Sequence, residues 1–158
     1  MKKRAAMLTL AFILLLSNAV FAAMPVIKAD STYYDPGAGV YVLQGNVTIE
    51  TEKRTFTADQ AKVSLGSFEV WGTGGITVAE GDIFFSGGSV YVYGKSHTAQ
   101  IDGGLHFSRS DIDIVADRAE YNWKTKLAQF SGNVKITQAG TVTNTDSASY
   151  SFRTNQLL

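Results

Sequence analysis

Leu43-Gln44-Gly45-Asn46-Val47-Thr48-Ile49, followed shortly by Thr57-Ala58-Asp59-Gln60-Ala61, is the stretch on which the reading of this chain turns, because it recurs. The Ala-Asp pair of its second segment stands also at Ala29-Asp30 and Ala116-Asp117, each 29 residues or a multiple of 29 away. Sixteen residues after each of these alanines comes a glycine, at Gly45, Gly74 and Gly132, and then an alternating run: Val47-Thr48-Ile49, Ile76-Thr77-Val78, Val134-Lys135-Ile136. The remaining copy carries Gly87-Gly88 in place of Ala-Asp and then Gly103-Gly104-Leu105-His106-Phe107, and a fifth begins at Thr145-Asp146. An unbroken period of this length means supersecondary units that stack to bury a common face.

Aligned by the period, the copies separate into dry and wet columns. Tyr41, Val70, Ala99 and Ala128 form one column, and Leu43, Gly72, Ile101 and Phe130 the next on the same side. Beyond the glycines come Val47, Ile76, Leu105 and Val134, then Ile49, Val78, Phe107 and Ile136. The columns between them are mostly polar: Gln44, Thr73, Asp102, Ser131, then Thr48, Thr77, His106, Lys135. Such alternation is the mark of strands with one face buried.

The other half of each repeat changes phase. Ile27, Phe56, Phe85 and Ile114 share a face with Ala29, Ala58, Gly87 and Ala116. The apolar set then shifts by one, to Thr32, Ala61, Val90, Ala119 and Ala148, and to Tyr34, Val63, Val92, Tyr121 and Tyr150. A phase change without inversion requires an inserted residue, a β-bulge, expected at Asp30, Asp59, Gly88, Asp117 and Asp146. Turns are expected at Asp35-Pro36-Gly37, Leu65-Gly66-Ser67 and Lys124-Thr125-Lys126 within repeats, and at Glu80-Gly81-Asp82 and Ala139-Gly140 between them. Counting from the turns sets the Asp position opposite the Gly column. Each of about nine strands therefore bends in its middle and gives one half to each of two facing sheets. The expected fold is an all-β, folded-over antiparallel meander with a dry interior, roughly 40 Å long.

Met1 to Ala22 has the form of a cleavable secretory signal: Lys2, Lys3 and Arg4, an apolar run from Ala5 to Leu16, and small residues before Ala23. Residues 23–158 suit a single domain of about four and a half repeats. The chain has 14 basic and 14 acidic residues, and three of the basic ones precede Ala23, so the remainder is net acidic. That excludes a nucleic-acid surface. The chain has no Cys, so it carries no disulfide framework, thiolate metal site or lipidated Cys.

Phe130-Ser131-Gly132-Asn133-Val134-Lys135-Ile136-Thr137-Gln138 followed by Thr145-Asp146, with the two segments quoted first, resembles the repeat signature of the OstA-like (LptA) superfamily. The resemblance runs from Ala29 to about Phe152. It implies a β-jellyroll, taco-like and open at both ends. It implies a periplasmic, non-enzymatic protein that carries or bridges lipopolysaccharide towards the outer membrane, with no cofactor, joined end to end with homologous transport domains or with itself. The groove would be lined by Val47, Ile49, Phe56, Val63, Ile76, Val78, Phe85, Val92, Ile101, Leu105, Phe107, Ile114, Tyr121, Phe130, Val134 and Ile136. This chain departs from the family in stopping within a repeat, at Leu158, without a polar tail.

From the pattern alone, the same columns are also those of a structural or adhesive β-repeat protein with a filled core. Small inward residues at Ala29, Ala58, Gly87, Ala99, Ala116 and Ala128 favour an occupied groove over a filled one. A transmembrane barrel fits less well, because the phase shift would place apolar residues on both sides of its wall. No catalytic or metal role is expected. The Asp column is spread one carboxylate per repeat, Asp111 and Asp113 sit at a turn and on an outward position, and His97 and His106 lie in a turn and on the wet face without partners. The first edge strand, Pro25 to Thr32, carries Pro25, Lys28 and Asp30. The last carries only Asp146 and Arg153 around Ala148-Ser149-Tyr150-Ser151-Phe152, which is therefore expected to accept a partner strand.

Overall fold

The computed structural model describes residues 26–50 and 52–158; the expected signal, Met1 to Ala22, and Pro25 lie outside them. Eleven strands follow one another: β1 (Val26–Lys28), β2 (Ser31–Asp35), β3 (Val40–Glu50), β4 (Thr55–Ser64), β5 (Glu69–Glu80), β6 (Ile83–Tyr93), β7 (Thr98–Arg109), β8 (Ile112–Asn122), β9 (Leu127–Gln138), β10 (Thr141–Ser151) and β11 (Gln156–Leu157). All pair antiparallel in one sheet, in the order β1, β3, β4 and onward to β11. β2 pairs with β3 alongside β1, so β1 and β2 are the two halves of one bent strand. The pairing path has two ends that do not meet, and the sheet is not closed. The fold is all-β, and the two facing sheets expected from the columns are two halves of this one sheet.

The register locates the bend and corrects its cause. Gln44 pairs with Gln60 and Val47 with Ala58, so Gly45 and Asn46 together oppose the single residue Asp59. The same count holds for Gly74-Gly75 against Gly88, Gly103-Gly104 against Asp117, and Gly132-Asn133 against Asp146. The extra residue is therefore on the glycine strand, not at the Asp positions as expected. Its physical basis is a pair of left-handed residues: φ is 74° and 48° at Gly45-Asn46, and 79° and 47° at Gly132-Asn133. Asn tolerates that region better than other side chains, and Gly occupies it without strain.

The Asp column has a different task from the one expected. Asp30 packs under Gly45 so closely that a Cβ there would stand 2.3 Å from its Oδ2, and Asp117 does the same at Gly132 at 2.5 Å. The carboxylates then accept from the neighbouring amides, Asn46 Nδ2 to Asp30 Oδ2 at 2.9 Å and Asn133 Nδ2 to Asp117 Oδ2 at 2.8 Å. Asp, Gly and Asn thus lock the corners at Gly45-Asn46 and Gly132-Asn133.

Ring contacts show the folding-over. Phe107 on β7 lies beyond its glycine bend and Tyr150 on β10 beyond its own, on the opposite half, yet their rings are 5.3 Å apart. Three strand spacings within a flat sheet would be about 14 Å. The buried core runs between the halves, with Val47, Ile76, Leu105, Ile114 and Val134 from one and Leu43, Val63, Ala119, Ala128 and Phe130 from the other. Thr32 and Tyr34, expected inward, are exposed, Tyr34 by 51%. They stand on the first strand, which has no further strand beyond it to complete the cover.

Candidate functional site

The interior is not filled evenly. Between the two halves lies an apolar cavity of about 340 Å³. From one half come Ile49, Phe56, Val78, Ile83 and Phe85; from the other Val70, Val90, Val92, Ala99, Ile101 and Tyr121. Most of the apolar lining stands in the outer parts of the strands, within one or two residues of their ends. The charged lining residues Arg54, Glu80, Arg109 and Lys126 lie at strand ends and turns, away from the glycine bend. The cavity therefore lies toward the free margins of the folded sheet, between an apolar wall and a polar rim, with the packed core between it and the fold line.

The structure divides the sixteen expected groove residues into two groups. Ile49, Phe56, Val78, Phe85, Val92, Ile101 and Tyr121 line the cavity. Val47, Val63, Ile76, Leu105, Phe107, Ile114, Phe130, Val134 and Ile136 are packed into the buried core and do not line it. The separation follows side-chain size along the stack. Toward the last strands Phe107 meets Phe130 at 5.7 Å and Tyr150 at 5.3 Å, and Phe152 reaches Phe85, Phe107 and Tyr121 at 6.1, 5.7 and 5.1 Å. These rings fill the space that valines and Ala99 leave open in the middle repeats. Phe152 forms the wall where the cavity ends.

The rim is held by polar contacts. Arg54 pairs with Glu80, and Arg109 donates to Asp82 Oδ2 at 3.2 Å and to Asn155. Burial opposes the charge on Arg109, but the Tyr150 hydroxyl and Asp82 outweigh it and raise its pKa. Asp82 is held below the usual carboxylate range, first by the Ser110 hydroxyl, against the opposing effect of burial, and also by Arg109. Since Arg109 is at the end of β7 and Asn155 in the turn after β10, this contact joins the two free margins. Burial pushes the Tyr121 phenol up. The rim residues give no signal in a repeat alignment, because their columns keep no one chemistry: Lys126 is matched by Phe68, His97 and Asn155, Arg109 by Glu80 and Gln138, and Arg54 by Ile83 and Ile112.

The expected open edge is also displaced. Tyr150 and Ser151 pair with Leu157 and Gln156 of β11, and Leu158 N donates to Ser149 O at 3.0 Å. Within Ala148, Ser149, Tyr150, Ser151 and Phe152, the outer backbone row is thus taken by the chain itself. Tyr150 and Ser151 are buried, and Phe152 is half-buried. The row left open is Thr141 to Ser147, exposed throughout. At the other end the open row is that of β1 and β2, with Val26, Tyr33 and Tyr34 exposed.

His106 has a partner after all, Asp113 on the next strand, both side chains being over two-fifths exposed. Ser86 pairs across the sheet with His106, but no hydroxyl donates to that ring among the described residues. An exposed His-Asp pair of this kind is a hydrogen-bonded contact on the outer surface. Among the described residues no three His, Cys, Asp or Glu side chains come together as a metal set would.

No family model matches the chain. It is 26% identical over 121 residues to the LPS-assembly protein LptD of Acinetobacter baumannii, which covers 77% of this chain and 14% of that protein. Among solved structures it is similar to LptH of Pseudomonas aeruginosa, the LptA-homologous periplasmic component of a lipopolysaccharide transport device. That match has 15% identity, covers 85% of this chain and 80% of the other, and has a TM-score of 0.36.

Proposed function

We propose that this protein is a non-enzymatic carrier of lipopolysaccharide or a related lipid in the periplasm, holding acyl chains between the two halves of its folded sheet. The observation that carries the reading is the cavity: about 340 Å³, walled by side chains of Val, Ile, Phe and Tyr from both halves. The lining is predominantly apolar, so water gains little from entering it and an apolar occupant is favoured. An acyl chain placed there gains about 0.8 kcal/mol for each CH2 removed from water. The similarity to part of LptD supports lipopolysaccharide as the lipid.

The open rows at β1–β2 and at Thr141 to Ser147 give this carrier two ends at which another copy, or a homologous transport domain, adds a strand. A partner strand there prolongs the dry interior.

The second reading is a β-repeat protein with a filled core, and the packed rings of Phe107, Phe130, Tyr150 and Phe152 favour it for the last repeats. Photo-crosslinkers at Phe56 and Val92 separate the two. On the carrier reading they capture lipopolysaccharide in cells, and crosslinkers at Thr48 and Lys135 on the outer face do not. Equal labelling of all four positions sinks the groove. Intact mass of the secreted protein tests the location: loss of residues 1–22 is expected, and a retained segment means an anchored protein.

A further inference from the structure

The two free margins of the folded sheet carry opposite charge. The turns after β2, β4, β6, β8 and β10 form one, and those after β3, β5, β7 and β9 the other. On the second, turns and flanking strand residues carry Glu50, Glu52, Glu80, Asp82 and Asp111 against Lys53, Arg54 and Arg109. On the first they carry Lys95, Lys124, Lys126 and Arg153 against Asp35 and Glu69. The acidic balance of the chain beyond Ala23 conceals this basic margin. Among the described residues its cations form no ion pair.

The period sets the cations in a row. Lys95, Lys124 and Arg153 stand 29 residues apart, each exposed in its turn, in the column that begins with Gly37 and Gly66. Neighbouring turns on one margin are two strands apart, about 10 Å. Backbone bonds lace them together: Phe68 O accepts from Gly94 N at 2.9 Å, His97 O from Trp123 N at 3.1 Å, and Lys126 O from Phe152 N at 2.9 Å. The accepting residues are all left-handed, with φ of 57°, 61° and 62°. In the turn before Lys95 the exposed side chains are apolar instead, Leu65 by 43% and Phe68 by 55%. A left-handed Phe is unusual, and this one stands exposed where the equivalent residues are His97, Lys126 and Asn155. Beside that turn Tyr93, paired with Glu69 and also exposed, stacks on Tyr91 at 4.0 Å, and Tyr91 meets Trp71 at 5.0 Å.

Exposed apolar tips, backed by Tyr and Trp and flanked by cations, match the boundary of a bilayer, where rings sit among headgroups and Lys or Arg meets anionic lipid. An acidic protein segment would answer the cations alone. From this charge complementarity we propose that the basic margin docks on an anionic lipid bilayer, Leu65 and Phe68 entering the headgroup boundary and Lys95, Lys124 and Arg153 meeting lipid phosphates. This surface stands apart from the cavity and does not depend on what the cavity holds.

The test is flotation of the protein, as secreted from cells, with vesicles of phosphatidylcholine alone or of an equal mixture with phosphatidylglycerol. Binding to the mixed vesicles and not to the neutral ones is expected, weakening as salt screens the charges. Each of Lys95→Gln, Lys124→Gln and Arg153→Gln should weaken it about fivefold, and Phe68→Ser about tenfold at every salt concentration. Lys135→Gln, on the outer face beyond the bend, should not alter it. Uptake of the neutral fluorophore N-phenyl-1-naphthylamine, which reads the cavity, should be the same in all these variants. Equal binding to both kinds of vesicle, or binding that the three charge variants leave unchanged, overturns the docking surface while the lipid cavity stands. Retention on polyglutamate without binding to either vesicle also overturns it and assigns the margin to an acidic protein. Binding to the mixed vesicles by a protein that takes up no fluorophore would sink the carrier reading alone.

Discussion

Replacing Gly132 by Ala and, separately, Gly104 by Ala isolates what the corner requires of its residues. Both positions are left-handed, with φ of 79° and 75°, so both variants pay the same backbone strain, about 1–2 kcal/mol. The surroundings differ. A Cβ at Gly132 stands 2.5 Å from Asp117 Oδ2 and 2.9 Å from its Cβ, whereas at Gly104 nothing lies within 4 Å. The new methyl must push Asp117 away, and the 2.8 Å bond from Asn133 Nδ2 goes with it, at a further cost of about 0.5–1.5 kcal/mol. Gly132→Ala should therefore be the worse of the pair by about 1 kcal/mol, or about 4 °C in thermal unfolding followed by circular dichroism. Adding Asp117→Gly, which reproduces the Gly88 arrangement of the middle repeat, should recover the steric part of the difference in a double-mutant cycle. Equal losses at the two glycines would refute the idea that the Asp column acts by packing under the bend.

The same corner predicts a gain. Gly75 occupies the position of Asn46 and Asn133, has open space around it and stands beside Asp59, so Gly75→Asn should add an amide-to-carboxylate bond and about 0.5–1 kcal/mol in urea unfolding. Gly104→Asn, whose repeat has Gly88 in place of the Asp, should not. For Asp102, burial alone would raise the pKa, but the hydrogen bonds from Arg118 and Gln100 and the Arg118 charge hold it below the usual carboxylate range. Its contribution to stability is then complete above the ordinary carboxylate pKa and lost as pH falls through the depressed one; the gap between wild type and Asp102→Asn, measured by denaturation across that range, should close toward the acid end. Ala99→Leu puts three extra carbons into the cavity, and should raise stability by about 1 kcal/mol while reducing uptake of N-phenyl-1-naphthylamine. Unchanged uptake would mean that the probe binds elsewhere.

The period-two columns were sufficient for the strands, their facing and their turns, because Val47, Ile76, Leu105 and Val134 have the same neighbours in every copy. The bulge was placed one strand away from where it lies. The phase shift is visible on the Asp strand, but the residues with unusual backbone are Gly45-Asn46 and their equivalents, which leave the apolar alternation of their own strand undisturbed. A hydrophobic pattern reports which side a residue faces, and a pair of left-handed residues changes the path without changing the side. The β11 cap continues the period, Gln156-Leu157 standing 29 residues after Leu127-Ala128, but two residues carry too little alternation to read as a strand. The cation rim is hidden because its columns change residue type from copy to copy.

The division between hollow and packed interior follows from residue volume on a constant backbone. The column Leu43, Gly72, Ile101, Phe130 runs from a glycine in the second repeat to a phenylalanine in the fourth, and the cavity is walled by residues flanking the small ones. At Gly72 the space of a side chain is taken by Phe56 and Val90, each of which would stand 3.0 Å from a Cβ there. Where the column holds Phe130, that ring meets Phe107, and Tyr150 and Phe152 complete the packing. A repeat protein with identical copies would be hollow throughout or filled throughout. Here the differences between copies give the stack a packed end and a more open middle.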